Sequence, residues 1–279
     1  MAIQAANIFR KDETNVGDWY SAPGRYFDIG DETTDIWQLS VHHKPKSKHV
    51  IYGGGGLIGQ MRPLTPLTYL LHEDNYKQYG WGIGDHSFVC MDEQTQFMPE
   101  LNVTYPSYVR EWELLGLRDD YKGVQELENI EWVPCASCMH EGFDKTYEIK
   151  HDFVFFNHQE LPFSLIMGIR IPNPKKQPEY FKSNKCDNIE DVLEFLGSGA
   201  TVVTNTYHGV YWATLLKRKV VCMPYSSKFW GFRHKPVYAY PHEWQEQAQH
   251  TKIYDGALEE CREANVNFYN KLCERIGNE

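Results

Sequence analysis

His208 stands in the run Thr201-Val-Val-Thr-Asn-Thr-Tyr-His208-Gly209, where β-branched residues give way to the apolar spacing of 210–216. The opening predicts a short strand and the continuation a helix, which puts His208-Gly209 at the turn between them. In an open α/β sheet, ligands bind beyond the carboxyl ends of the strands, where helix N-termini turn unpaired N–H groups and positive dipole ends toward anions. An imidazole titrating near neutrality carries a proton in either direction. His208 is therefore the candidate catalytic residue, as general acid or base, although a capping or packing histidine is the commoner occupant of a strand end.

Other residues with usable chemistry fall at similar places. Asn205, Thr206 and Gly209 flank the histidine, and Tyr225-Ser226-Ser227-Lys228 forms a second turn after an apolar strand at 219–223. Lys228 and Arg233, with His234 and Lys235, supply charge for a multiply charged anion. These residues (Asn205, Thr206, Gly209, Tyr225, Ser226, Lys228 and Arg233) are the candidate donor or phosphate contacts. In the N-terminal half, Asn15-Val-Gly17-Asp18 and the strand Val50-Ile-Tyr followed by Gly53-Gly54-Gly55-Gly56 make two more turns. Glycines let backbone N–H groups approach a phosphate, so Asn15, Gly17, Asp18, Gly54, Gly55 and Gly56 are candidates for acceptor or phosphate binding. The plainer accounts are a packing turn for the glycines, a turn role for Asp18 and a solvated patch for residues 233–235. Cys135-Ala-Ser-Cys138-Met-His140 has the bite of a tetrahedral zinc site, but no second pair completes it. No metal is expected, and the role of the pair stays open.

The elements that must position these residues alternate. Short strands are expected near Ile36–His42, at Val50–Tyr52, Tyr79–Ile83 and Ile130–Val133, with an apolar segment at 124–127 and helices over 64–76 and Tyr108–Leu115. A polar stretch at His140–His151 interrupts the pattern and places a boundary between domains of residues 1–145 and 146–279. The second half has a strand at Phe153–Asn157, a loop at 171–178, a helix at Ile189–Leu196 capped by Asp187 or Asn188, and the His208 strand and helix. Apolar spacing from Asp255 to Ile276, including Leu258, Cys261, Val266, Phe268, Tyr269 and Leu272, predicts a final helix. Strand and helix alternating in this way predict parallel sheets covered on both faces.

Composition is that of a globular chain of enzyme size. Its 279 residues exceed what one core usually supports, and 42% hydrophobic residues supply two. Net charge is −10, from 28 basic and 38 acidic residues, which argues against a nucleic-acid binder with a broad basic face. Seven scattered cysteines suit free thiols. The N-terminal residues lack a signal-peptide core and no apolar run approaches a bilayer span, so a cytoplasmic protein is expected, with peripheral membrane association left open. The oligomeric state is not legible.

The ordered set Asn15-Val-Gly-Asp18, Val50 to Gly56, and the strand–His208-Gly209–helix–strand–Tyr225-Ser-Ser-Lys228 segment resembles the polysaccharide pyruvyl transferase family, over residues 13 to 230. Gly82-Ile-Gly84 and Leu117-Arg118-Asp119 are weaker echoes of it. The resemblance implies two Rossmann-like domains facing a cleft, a GT-B-like architecture, with the last helix packing back toward the first domain. It puts the acceptor side on 1–145 and the donor side on 146–279. It also implies transfer of pyruvate from phosphoenolpyruvate, a co-substrate with no further cofactor, to two hydroxyls of a glycan or lipid-linked sugar, as in exopolysaccharide biosynthesis. Two departures stand out: Thr206 occupies a slot where many members carry arginine, and Cys135 to Cys138 replaces a Pro-Asp-Pro type turn. Arg233, Lys228 or Arg118 could supply the missing charge from elsewhere. The alternatives are a GT-B-like glycosyltransferase using a nucleotide sugar, and a non-catalytic carbohydrate-binding protein whose eight tryptophans and eighteen tyrosines offer stacking faces.

Overall fold

In the computed structural model, residues 3–40, 42–59, 71–86, 105–121, 128–159 and 179–277 are described. Two parallel sheets organise them. The first holds β1 (Ala6–Phe9), β2 (Thr33–Asp35), β3 (His49–Ile58), β4 (Lys77–Asp85), β5 (Leu114–Leu117) and β6 (Ile130–Trp132), in the order β2-β1-β3-β4-β5-β6. The second holds β7 (His151–Asn157), β8 (Phe181–Ser183), β9 (Gly199–Thr204), β10 (Lys219–Cys222) and β11 (Val237–Tyr238), in the order β11-β10-β9-β7-β8. Every pairing is parallel, with Ile8 opposite Tyr52 in the first sheet and Val202 opposite Val154 and Val220 in the second. Strands covered on both faces read as continuous apolar runs, which is why β1 is buried throughout.

In each sheet one strand has its sequence successor on one side and a later strand on the other: β1 lies between β2 and β3, and β7 between β8 and β9. Winding reverses there, and a crevice opens at the carboxyl ends. Helices lying wholly within the described residues include α1 (Val16–Trp19), α2 (Ile189–Gly197), α3 (Tyr207–Leu215), α4 (Trp244–Gln247) and α5 (Ala257–Gly277). α2 is capped by Asn188, whose side chain accepts from Glu190 N.

α5 ties the two halves together. Its first turns put Leu258 and Cys261 into the core of the second sheet, whereas Phe268 and Leu272 pack with Ile51, Tyr79 and Trp81 on the first. Between them Asn265, fully buried, accepts a hydrogen bond from Trp81 Nε1 at 2.7 Å and donates to the carbonyls of Pro134 and Cys261. The last helix thus packs back on the first domain, and the fold is two parallel-sheet α/β units of GT-B-like type.

Several local expectations change. Tyr108–Leu115 is not a helix: a 3-10 turn, Ser107–Arg110, leads into β5. Tyr108, Trp112 and Leu115 are all buried in one core, so the spacing marked burial but not conformation. A strand apolar on both faces cannot be told from a buried helix by period. The strand expected at Ile36–His42 lies earlier, at Thr33–Asp35, because the Asp35 carboxylate accepts from Lys11 N and Trp37 N and turns the chain. The glycine run lies within β3 rather than after it, with Gly54 and Gly55 at φ of 45° and 93°. Val266 is 40% exposed, because the buried stripe of α5 runs through Asn265 instead. Most of the helix expected over 64–76, and the segments 124–127 and 171–178, lie outside the described residues.

Candidate functional site

A cleft of about 450 Å³ lies between the carboxyl ends of the two sheets. Its lining follows the strand order. Arg10 and Asn15 come from beyond β1, Trp37 from beyond β2, Gly55 to Leu57 from the end of β3, His86 from beyond β4 and Arg118 from beyond β5. Opposite them are His158 and Gln159 beyond β7, Asn184 beyond β8, Thr206 to His208 beyond β9, and Tyr225 and Lys228 beyond β10.

His208 sits in the first turn of α3, not in the preceding loop, because Thr206 caps the helix: its hydroxyl accepts from Gly209 N at 2.8 Å. Gly209 has no room for a side chain, since a Cβ would stand 2.3 Å from Thr204 Oγ1. The imidazole packs against Gly17 of α1 and lies 4.9 Å, centroid to centroid, from the Trp212 ring. Its Nε2 is 3.5 Å from Cys135 Sγ. Burial, then the positive charges of Arg118 and Lys228, hold its pKa well below the ordinary value. At neutral pH the ring is uncharged.

Arg118, offered with Lys228 and Arg233 as a source of the missing charge, reaches the cleft as a buried side chain. Its side chain is 1% exposed, its Cζ stacks 3.6 Å over the Tyr207 ring, and its nearest carboxylate, Asp119, is 3.9 Å from Nε. Nε and Nη2 have no hydrogen-bond partner among the described residues. Gly56 leaves the guanidinium space, since a Cβ there would be 3.2 Å from Nη2. Burying a charged donor without an acceptor costs about 1–3 kcal/mol or more, and an anion in the cleft beside Gly56 would offset that cost at Nη2. Asp119 accepts from Asp85 N and Tyr105 OH, and its pKa is pushed up to about 6 by burial, against the pull of Arg118. Lys228, also buried, faces the cleft from the second domain and donates to Tyr225 OH at 2.8 Å. His158 has its pKa lowered to about 4 by burial and by Lys228.

The remaining sequence candidates divide. Asn15 caps α1, accepting from Gly17 N, and its amide donates to Asp18 Oδ2 at 3.0 Å. The same Asn15 oxygen accepts from Asn184 Nδ2, which joins the two domains at the cleft. Asn15, Gly17, Asp18, Gly55, Gly56, Thr206, Tyr225 and Lys228 all line the cleft. Gly54 is instead pressed against Ser21, where a Cβ would stand 2.3 Å from the Ser21 carbonyl. Asn205 is fully buried behind the cleft and accepts from His158 N. Ser226 is buried, and its hydroxyl has no partner among the described residues. Arg233 is turned away, donating to Asp120 and Glu260 and lying 3.7 Å over the Trp132 ring. Arg118 carries charge to the cleft in the absence of an arginine at position 206.

Arg10, His86, His158 and Asn184 escaped sequence reading, since each follows a strand without a motif around it. Among the described residues no group of three or more metal-ligating side chains converges. Cys135 and Cys138 are buried free thiols, and His140 accepts from Gly142 N rather than turning toward them. No helix among the described residues is long and apolar enough to cross a membrane.

No family model and no curated sequence matches this chain. The fold is similar to that of a solved structure. A protein from Listeria monocytogenes provisionally assigned as a UDP-N-acetylglucosamine 2-epimerase superposes with a TM-score of 0.50 at 10% identity, covering 96% of this chain and 91% of that one. A functionally uncharacterised protein from Klebsiella pneumoniae gives 0.44 at 13% identity over 81% and 85%. The wall teichoic acid polymerase TagF gives 0.43 at 12% identity over 97% and 84%.

Proposed function

We propose that the protein is a transferase that moves pyruvate from phosphoenolpyruvate onto two hydroxyls of a sugar, in the cleft between its domains. The observation that supports this reading is Arg118, a buried guanidinium at the cleft wall whose Nη2, beside Gly56, has no hydrogen-bond partner among the described residues. With Lys228 on the opposite domain, it suits a small ligand bearing two separate anionic groups, a carboxylate and a phosphate. His208 lines the same space and carries the proton. The donor's charge offsets Arg118 and Lys228, so the imidazole takes up a proton when the donor binds. The imidazolium then protonates the enol carbon, and the first sugar hydroxyl adds to the adjacent carbon, losing its proton to the imidazole just vacated. The second hydroxyl displaces phosphate, which leaves with that hydroxyl's proton, and the product is a cyclic ketal. The acceptor is a glycan or lipid-linked sugar.

A second reading, transfer from a nucleotide sugar, is favoured by the size of the cleft, which lies within the range of larger ligands. Thermal unfolding with phosphoenolpyruvate and with a panel of nucleotide sugars separates the two, since saturation at 100 times Kd adds about 2.7 kcal/mol. Stabilisation by phosphoenolpyruvate that R118M and K228A weaken supports pyruvyl transfer. Stabilisation by a nucleotide sugar alone moves the assignment to a glycosyltransferase, and silence from both leaves a non-catalytic carbohydrate-binding protein.

A further inference from the structure

Behind His208 the cysteine pair forms part of a buried chain of hydrogen bonds. Trp212 Nε1 donates to Ser137 Oγ at 2.9 Å, Ser137 Oγ donates to Cys135 Sγ at 3.2 Å, and Cys135 Sγ lies 3.5 Å from His208 Nε2. Up to the sulfur its polarity follows from the groups. An indole nitrogen only donates, so Ser137 accepts there and has its single hydrogen left for the sulfur. The sulfur accepts that hydrogen and keeps its own S–H, which is available to donate to an unprotonated Nε2 and turns aside where Nε2 carries a hydrogen. The thiol keeps this hydrogen at neutral pH because burial raises its pKa.

The backbone of this segment is firmly held. Tyr211 OH donates to the Cys135 carbonyl at 2.9 Å, and Gly82, at φ 62°, lets β4 approach so closely that a Cβ there would be 3.2 Å from Cys135 Cα. Ser137 and Cys135 are both fully buried. The other ring nitrogen, Nδ1, lies against Gly17, in the turn that carries Asp18 into the cleft.

We propose that Cys135 and Ser137 are positioning residues that occupy His208 Nε2 with a thiol hydrogen, hold the resting ring as the Nδ1–H tautomer, and make Nδ1 the nitrogen that exchanges protons with substrate. Which nitrogen of a catalytic histidine works is set by the bond the other one makes. When the ring takes up its second proton, Nε2–H turns to the sulfur, which still accepts from Ser137, and the thiol hydrogen rotates away. Nδ1 can then give its proton to the enol carbon and take one from the sugar hydroxyl, while Nε2 keeps its own. The cysteine neither bonds covalently nor changes oxidation state. This inference rests on the transfer reading for its catalytic meaning and on the hydrogen-bond chain for its structural content.

Nitrogen-15 NMR of histidine-labelled protein, with His208 assigned by difference from H208Q, reads the tautomer without any substrate. The expected result is a protonated Nδ1 and an unprotonated Nε2 in the native protein and in C135S, whose hydroxyl replaces the donor, and loss of that preference in C135A. Nε2 protonated in the native protein, or a C135A spectrum matching the native one, overturns the proposal. Should C135A fail to fold, S137A serves in its place: freeing one acceptor position on the sulfur is expected to shift His208 toward a mixture, and an unshifted ring counts against the chain. With phosphoenolpyruvate and an acceptor, C135A should lose on the order of 10-fold or more in kcat, with KM for the donor unchanged, and C135S should recover most of it. If no pyruvyl transfer is measurable in the native protein, the transfer reading fails while the tautomer result still stands or falls alone.

Discussion

Arg118 keeps two charged N–H groups inside the protein without acceptors among the described residues, a cost that an anion in the cleft would lessen at Nη2, beside Gly56. R118M removes the charge and retains much of the stacking on Tyr207, so the unliganded protein should unfold within a few degrees of the native one. Affinity for the anionic donor should fall about 10- to 100-fold, matching the 1.5–3 kcal/mol of a charged hydrogen bond, and calorimetric titration reads it. At the same scale, two neutral histidines give the fold an acid limit. His158 titrates near 4 in the folded chain against an ordinary 6.5, so between these values the unfolded chain binds the extra proton and stability falls as pH drops. His208 acts in the same direction. Asp119, pushed up from 3.8 to about 6, works in the opposite direction between about 6 and 4. Two groups against one leave a net loss on acidification, and H158Q should flatten it in a series of unfolding curves from pH 7 to 4.

At the scale of elements, the N-termini of α1 and α3 meet. Gly17→Ala would place a methyl 2.3 Å from His208 Nδ1, so the ring or α1 must move. A displacement of about 1 Å costs on the order of 100-fold in rate, whereas the stability loss should stay near 1–3 kcal/mol; a variant with native kcat would show that the ring's position is not critical. Thr206→Ala removes the cap of α3 and should cost about 1 kcal/mol by denaturant unfolding. The elements legible in the sequence are those with bounded apolar runs, caps or full helical spacing: the strands at 50–52, 79–83, 130–133, 153–157 and 219–223, β9 with its four β-branched residues in six, α2 behind Asn188, and α5 along its length. Tyr108–Leu115 was misread because Tyr108, Trp112 and Leu115 are buried at helical intervals in a segment that turns and then extends. The segment at 36–42 misleads because the strand-ending signal is the Asp35 side chain, which accepts from Lys11 N, just after β1, and from Trp37 N, just after β2.

At the scale of the whole molecule, α5 fastens both sheets, and the Trp81–Asn265 bond is the polar centre of that contact. Asn265→Leu leaves the indole N–H and the Pro134 carbonyl unsatisfied, an expected loss of about 1–3 kcal/mol per group, and scanning calorimetry should show the single transition broadening or splitting as the domains uncouple. Which chemistry is present and where strands end are written locally, in a histidine, a lysine and glycines after apolar runs, because backbone propensity and turn chemistry act over a few residues. Which of those turns share a cleft depends on long-range packing. It brought Asn15 to Asn184, 169 residues apart, set Cys135 behind His208, stacked Arg118 over Tyr207, and turned Arg233 away toward Glu260. Those outcomes depend on strand order, winding reversal and the docking of one domain on the other, and such long-range contacts leave no local periodicity from which they could be read.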